Sequence, residues 1–153
     1  SFDLLEKVHR GAELEAKEQE AWTRVVVRVE AICAAAAKLQ IPVLIDAEES
    51  WVQDAIDDLS REMMLKFNRE RAIVYNTVQM YRVDRLDFVK REIKRARENG
   101  YHFGVKLVRG AYMEKERGRA AQKGYPSPIQ PTKETCDHDY DAAAAYLMGN
   151  IDI

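Results

Sequence analysis

The chain has 153 residues, 46% of them hydrophobic and 33% charged, enough for one globular domain with a buried core. Its 24 basic residues against 26 acidic ones leave a net charge of -2, without the basic excess that a nucleic-acid-binding face requires. No apolar run approaches the roughly 20 residues of a membrane span, no signal-peptide pattern opens the sequence, and Cys33 and Cys136 read as reduced thiols of a cytoplasmic protein.

Residues 13–39 predict a long helix, with Trp22, Val26, Val29, Cys33 and Ala36 recurring at three- and four-residue steps as one buried stripe. Pro42 blocks its extension. Val43-Leu44-Ile45 is a short apolar run, the pattern of a strand covered on both faces, and it ends in Asp46-Ala47-Glu48-Glu49. Ser50 with Gln53 three residues later is a capping-box pattern. The helix it opens buries Val52, Ala55, Ile56, Leu59 and Met63. A second apolar run, Ala72 to Tyr75, continues to Gln79. A helix over 85–98 turns Leu86, Val89, Ile93 and Ala96 inward, and Asn99-Gly100 ends it. A third strand, Phe103 to Val108, runs into Arg109-Gly110, and a helix over 112–122 follows. After the proline-rich loop 124–131, a last helix spans 133–148. The chain opens at Ser1 without a methionine, and Asn150–Ile153 reads as the start of a further strand. The expectation is therefore a fragment.

The organisation is a leading helical region, 1–40, followed by strand–helix units over 41–153 in a single incomplete domain. The strands begin about 30 residues apart, the length of one βα unit. Such alternation makes an α/β fold with a parallel sheet. About three units cannot close an eight-stranded barrel, which takes roughly 250 residues. Either an oligomer completes the sheet or the chain is part of a (β/α)8 TIM-type barrel.

Ligands in parallel α/β folds sit at the carboxyl ends of the strands. The first strand ends in Asp46 and Glu48, the second in Gln79 and Tyr81, the third in Arg109, Gly110, Ala111 and Tyr112. Asp46 and Glu48 have a plain alternative as partners of the next helix dipole, Gln79 as a loop hydrogen-bonder, and Gly110 as an ordinary turn glycine. Lys106, inside Val105-Lys106-Leu107-Val108, is harder to explain away, because an isolated buried charge is costly and must face a polar interior or a partner. Cys136-Asp137-His138 lacks the second ligand pair of a zinc site, so no metal is expected. The basic run 90–97 is interspersed with acid and reads as a solvated helix face.

Lys106 to Arg119, KLVRGAYMEKERGR, resembles the signature of proline dehydrogenases. Leu44 to Glu49 resembles the family's aspartate-bearing strand, and Val74 to Tyr81 the next strand. Gly124 to Thr132 resembles the following loop in the branch shared by mitochondrial and some monofunctional bacterial enzymes. The resemblance implies a distorted (β/α)8 barrel holding FAD, oxidation of L-proline to Δ1-pyrroline-5-carboxylate, and electrons passed on to a quinone. It makes Asp46 and Lys106 the catalytic candidates, with Lys106 near flavin N5. Ala47, Gln79, Val108, Arg109 and Gly110 become cofactor-binding positions, and Tyr112 a wall of the substrate pocket. The bifunctional bacterial branch carries arginine where Lys106 stands, and lysine lacks arginine's planar fork. The family's earlier-strand lysine and its late-helix arginine pair, which clamps the substrate carboxylate, fall outside these residues. The parent is then expected to be the enzyme, cytoplasmic with membrane contact through the quinone pool, and this chain alone to turn over little. Two other readings remain open. One is a different barrel enzyme, such as a metal-dependent hydrolase or a Schiff-base aldolase using Lys106. The other is a folded non-catalytic fragment, a homo-oligomer that covers its open sheet edges.

Overall fold

The computed structural model describes residues Ser1–Ile153. Its elements, in chain order, are α1 (Phe2–His9), α2 (Ala16–Leu39), β1 (Val43–Ile45), α3 (Ser50–Phe67), β2 (Val74–Gln79), α4 (Arg85–Asn99), β3 (Gly104–Val108), α5 (Met113–Lys123) and α6 (Lys133–Met148). The strands form one parallel sheet in the order β1-β2-β3. Sequential order with helical crossovers is the arrangement of a barrel segment, in which the helices line one face. The α/β expectation therefore holds, and the helix boundaries fall within a few residues of the predicted ones. The short α1 was not predicted.

Side chains alternate across the sheet. Val74, Asn76 and Val78 of β2 point to the helices, with Val105 and Leu107 of β3 and Val43 and Ile45 of β1 in register beside them. Thirteen buried residues make the core between sheet and helices, among them Met63, Met64, Val74, Val78, Phe88, Val89, Ile93 and Phe103. The opposite face carries Leu44, Tyr75, Thr77, Gln79, Gly104, Lys106 and Val108. There the reading of β1 as covered on both faces fails: Leu44 is 49% exposed, because helices lie against only one side of this three-stranded unit.

Asn76 is a polar residue aimed at the apolar side, and such a group must find partners. Its amide donates to Asp57 (2.8 Å) on α3. Asp57 also accepts from Gln53 (2.8 Å) and from Arg85 of α4 (2.8 Å). One buried carboxylate thus joins α3, β2 and α4.

The cap of α3 differs from the sequence pattern. The N-cap is Glu49, with no side-chain cap bond. Ser50 instead sends its N–H (2.6 Å) and its hydroxyl (2.7 Å) to the carboxylate of Glu116, on α5. Gln53, the expected second half of the box, accepts from the Glu48 N–H (2.8 Å). A local motif was replaced by a long-range one because Glu116, fully buried, brings a charge to the positive end of the helix. The other predicted stop is seen: α4 ends at Gly100 with φ 65°.

Asn68, just past α3, holds the entry to the sheet. Its amide donates to the carbonyls of Val74 (2.8 Å) and His102 (2.9 Å) and accepts from the N–H groups of Ile73 (3.0 Å) and Val74 (2.8 Å). Removing it strands buried backbone donors, each worth about 1–3 kcal/mol. Asn68→Ala is expected to lower the unfolding free energy by about 3 kcal/mol or more, read as a drop in the urea midpoint; an unchanged midpoint would refute the clamp.

Candidate functional site

The face away from the helices ends in a recess of about 420 Å3, lined by Asp46, Ala47, Glu48, Thr77, Gln79, Lys106, Val108, Arg109, Gly110, Ala111 and Tyr112. All the strand-end candidates read from the sequence are in that set except Tyr81, which lines a neighbouring recess. The register explains why. Ile45 is level with Asn76 and Val105, so the next row across the sheet is Asp46, Thr77 and Lys106, all on the open face. Two residues further on, the row is Glu48, Gln79 and Val108.

In the first row the Lys106 ammonium donates to Asp46 (2.6 Å), with side-chain exposures of 36% and 76%. An exposed pair of this kind adds little to stability; its effect is to hold a cation at a fixed place. Between its two members Thr77 is nearly buried, and its hydroxyl oxygen has no hydrogen-bond partner. In the second row Gln79 donates to the Glu48 carbonyl (2.8 Å) and accepts from the Ala111 N–H (3.1 Å). Its amide therefore joins the turn after β1 to the turn after β3. The plain alternative for Asp46 and Glu48, as partners of the α3 terminus, is not their use here: Asp46 meets Lys106, and the Glu48 carboxylate accepts from the Tyr112 phenol (2.8 Å).

The turn after β3 is set by Gly110. Its φ is +143°, and a Cβ there would lie 2.4 Å from the Tyr81 ring. The close approach served by this glycine is thus to Tyr81, with the backbone packed on its face. Arg109 follows the sheet only as far as its Cα. Its guanidinium turns to α6, where Nε donates to Asp137 (2.6 Å) and the group lies 4.7 Å above the Tyr140 ring. Asp137, the middle residue of the Cys-Asp-His run, is also bonded by Lys133, and its carboxyl is held below the usual range by these two cations. Both cysteines are free and buried.

Sequence reading missed Thr77 as part of the recess. The signal was present: it lies two residues before Gln79 in a strand, hence on the same face. It also missed that Glu48 has a partner, since Tyr112 is 64 residues away.

A family model described as "Proline dehydrogenase" matches residues 2–153. Proline dehydrogenase 1, mitochondrial, from Drosophila melanogaster is 40% identical over 135 residues, 88% of this chain and 20% of that protein. The Homo sapiens protein of the same name is 40% identical over 126 residues, 82% of this chain and 21% of that protein. The crystal structure of proline utilization A from Bdellovibrio bacteriovorus, inactivated by N-propargylglycine, superposes with a TM-score of 0.80 at 26% identity, covering 88% of this chain and 14% of that one. The chain therefore spans about a fifth of the length of the curated relatives it matches. Both relatives are named mitochondrial, which overturns the cytoplasmic expectation; reduced cysteines report a redox environment, which several compartments share.

Two predictions follow from the geometry. Gly110→Ala puts a methyl into the Tyr81 ring at a φ that side chains rarely adopt, so a destabilisation of about 2 kcal/mol or more is expected in thermal or urea unfolding. The second concerns pH. The bond to Glu48 pushes the Tyr112 phenol up to about 12, and burial pushes Tyr81 up to about 12, from an ordinary value of about 10. Both favour the protonated phenol in the fold, so their contribution is complete below about pH 10 and is lost as pH rises through about 12. The urea midpoint should fall across that window, less steeply in Tyr112→Phe and Tyr81→Phe.

Proposed function

The chain belongs to the proline dehydrogenase family, and on that premise we propose that the protein containing it oxidises L-proline to Δ1-pyrroline-5-carboxylate with FAD as the immediate acceptor and a quinone as the onward one. The observation that carries the reading is the row Asp46–Thr77–Lys106 at the carboxyl ends of three parallel strands. It offers one oriented cation, one carboxylate and one hydroxyl without a protein partner, on the face where barrel enzymes act.

The donor set fits a flavin. The ring system is planar and gains negative charge on reduction, and one oriented cation, the Lys106 ammonium, stands in the recess, while the Arg109 guanidinium is turned to Asp137. Ala47, Gly110 and Ala111 leave backbone and small side chains along the wall, where a flat ring needs room. When bound, FAD supplies the two-electron acceptor for the hydride leaving proline. Lys106 is held by Asp46 where it favours the negative charge of the reduced ring. Gln79 ties the two turns that would flank the ring, through the Glu48 carbonyl and the Ala111 N–H. Arg109, bonded to Asp137, would have to leave that partner to contact the group. Tyr112 walls the substrate side. The pairing of Lys106 Nζ with Asp46 gives no support to a Schiff-base aldolase, and the family membership supports reading the folded segment as part of an enzyme rather than a non-catalytic piece.

The protein expressed at the length of its relatives is expected to be yellow, with a flavin spectrum, and to reduce a dye only when proline is added. Lys106→Met is expected to keep the colour and lose about 100-fold in kcat. A colourless protein that takes up no added FAD would refute the proposal.

A further inference from the structure

Glu48 is held more tightly than a residue in a turn requires. Its N–H donates to the side chain of Gln53 (2.8 Å) and its carbonyl accepts from Gln79 (2.8 Å), and both glutamines are buried. With the backbone tied at each end, the carboxylate points across the recess to the Tyr112 phenol at 2.8 Å. The residues that follow are clasped in step by α5. Glu49 accepts from Lys115 (2.5 Å), Ser50 donates to Glu116, and the Trp51 ring lies 4.3 Å below the Arg119 guanidinium. Residues 112, 115, 116 and 119 share one face of a helix at the i, i+3, i+4, i+7 spacing. They meet four consecutive residues, 48 to 51. The contacts beyond Glu48 lie behind the recess wall and serve to hold its first member in place.

We propose that Glu48 is a positioning residue, which sets the orientation of the Tyr112 ring at the wall of the recess and thereby the fit of the small amino-acid ligand on that side. The inference rests on the proposed function for the identity of that ligand. Its own geometry stands on the two glutamines and the α5 clasp. Glu48 acts through Tyr112, which already has its bond before any ligand arrives, so the interaction is the same in ground and transition states. A residue of this kind changes KM and leaves kcat alone.

The test uses the intact protein with proline as the varied substrate. Glu48→Ala is expected to raise KM about 10-fold, with kcat within about twofold of the parent protein. Glu48→Gln keeps an oxygen that accepts from the phenol, so KM should return to within about threefold of the original. The second readout needs no turnover. The groups around the Tyr112 phenol are Glu48, Glu49 and Asp46, which raise it, and the Lys115 ammonium 5.6 Å from the ring centre. With the bond and charge of Glu48 removed, ultraviolet titration should show one tyrosine moving down from about 12, assigned by its loss in Tyr112→Phe. Glu48→Gln, which preserves side-chain volume, supplies the same readout should the alanine variant fail to fold. An unchanged tyrosine titration in both variants would overturn the proposal, as would a fall in kcat at constant KM. Failure of the functional reading looks different: no proline-dependent dye reduction in the unsubstituted protein, with the tyrosine shift still present.

Discussion

Gln79 ends the central strand nearly buried, and its amide reaches both ways, to the Glu48 carbonyl and to the Ala111 N–H. The pairing of β1 with β2 has ended three residues earlier, at Ile45 and Asn76, while the chain leaving β3 is still held by backbone bonds from the Met80 and Tyr81 N–H groups to the carbonyls of Val108 and Arg109. A planar amide with a donor at one end and an acceptor at the other joins the two outer chains in a way that a hydroxyl or a charge would not. The Gln79 side chain is itself nearly buried, so leaving its amide without these partners would cost about 1–3 kcal/mol. This side chain thus ties the exit of β1 to the exit of β3 across the recess, and the Asp46–Lys106 pair spans the row beneath it.

The same economy appears on the other face. Asp57 gathers Gln53, Asn76 and Arg85, so a polar residue aimed into the core becomes the joint between helix and sheet. A half-satisfied network of this kind would be worse than an apolar one. Its members are spread over α3, β2 and α4, so the joint forms only when all three are in place. That gives the segment a defined packing between sheet and helices although its sheet has two open edges. The helix-facing network fixes the side of β2 opposite the open face, where Asp46 and Lys106 form their exposed pair.

Periodicity was enough to find the strands, five of the six helices and the face that carries the candidate residues, because side-chain alternation is a local property. The rows Asp46–Thr77–Lys106 and Glu48–Gln79–Val108 needed the register as well. No local pattern encodes register: it depends on which residues of β1 and β2 lie side by side. The capping box read at Ser50 and Gln53 shows the converse. The spacing was right for a local motif, yet Ser50 found a distant partner in Glu116, while Gln53 stayed local, bonded to the Glu48 N–H and to Asp57 one turn on. Arg109 is similar. Its place in the Lys106–Tyr112 run suggested a cation over the recess, while Asp137 and Tyr140, brought in by α6, turn it aside. Resemblance supplied the residues; tertiary partners decided where their side chains go.

The capping of α3 by Glu116 also has a bearing on synthesis. The carboxylate that receives the first N–H of this helix is 66 residues downstream. A ribosome adding about 5–20 residues per second leaves that donor waiting for several seconds. During that interval the start of α3, with Glu49 and the apolar ring of Trp51, has neither its cap nor the α5 surface that covers it. Water or a nearer side chain must serve meanwhile. The nascent chain thus carries an unfinished helix end until α5 emerges, and a stall or truncation between residues 67 and 116 would leave it exposed to chaperones and proteases, at the point where the turn bearing Asp46 and Glu48 ends.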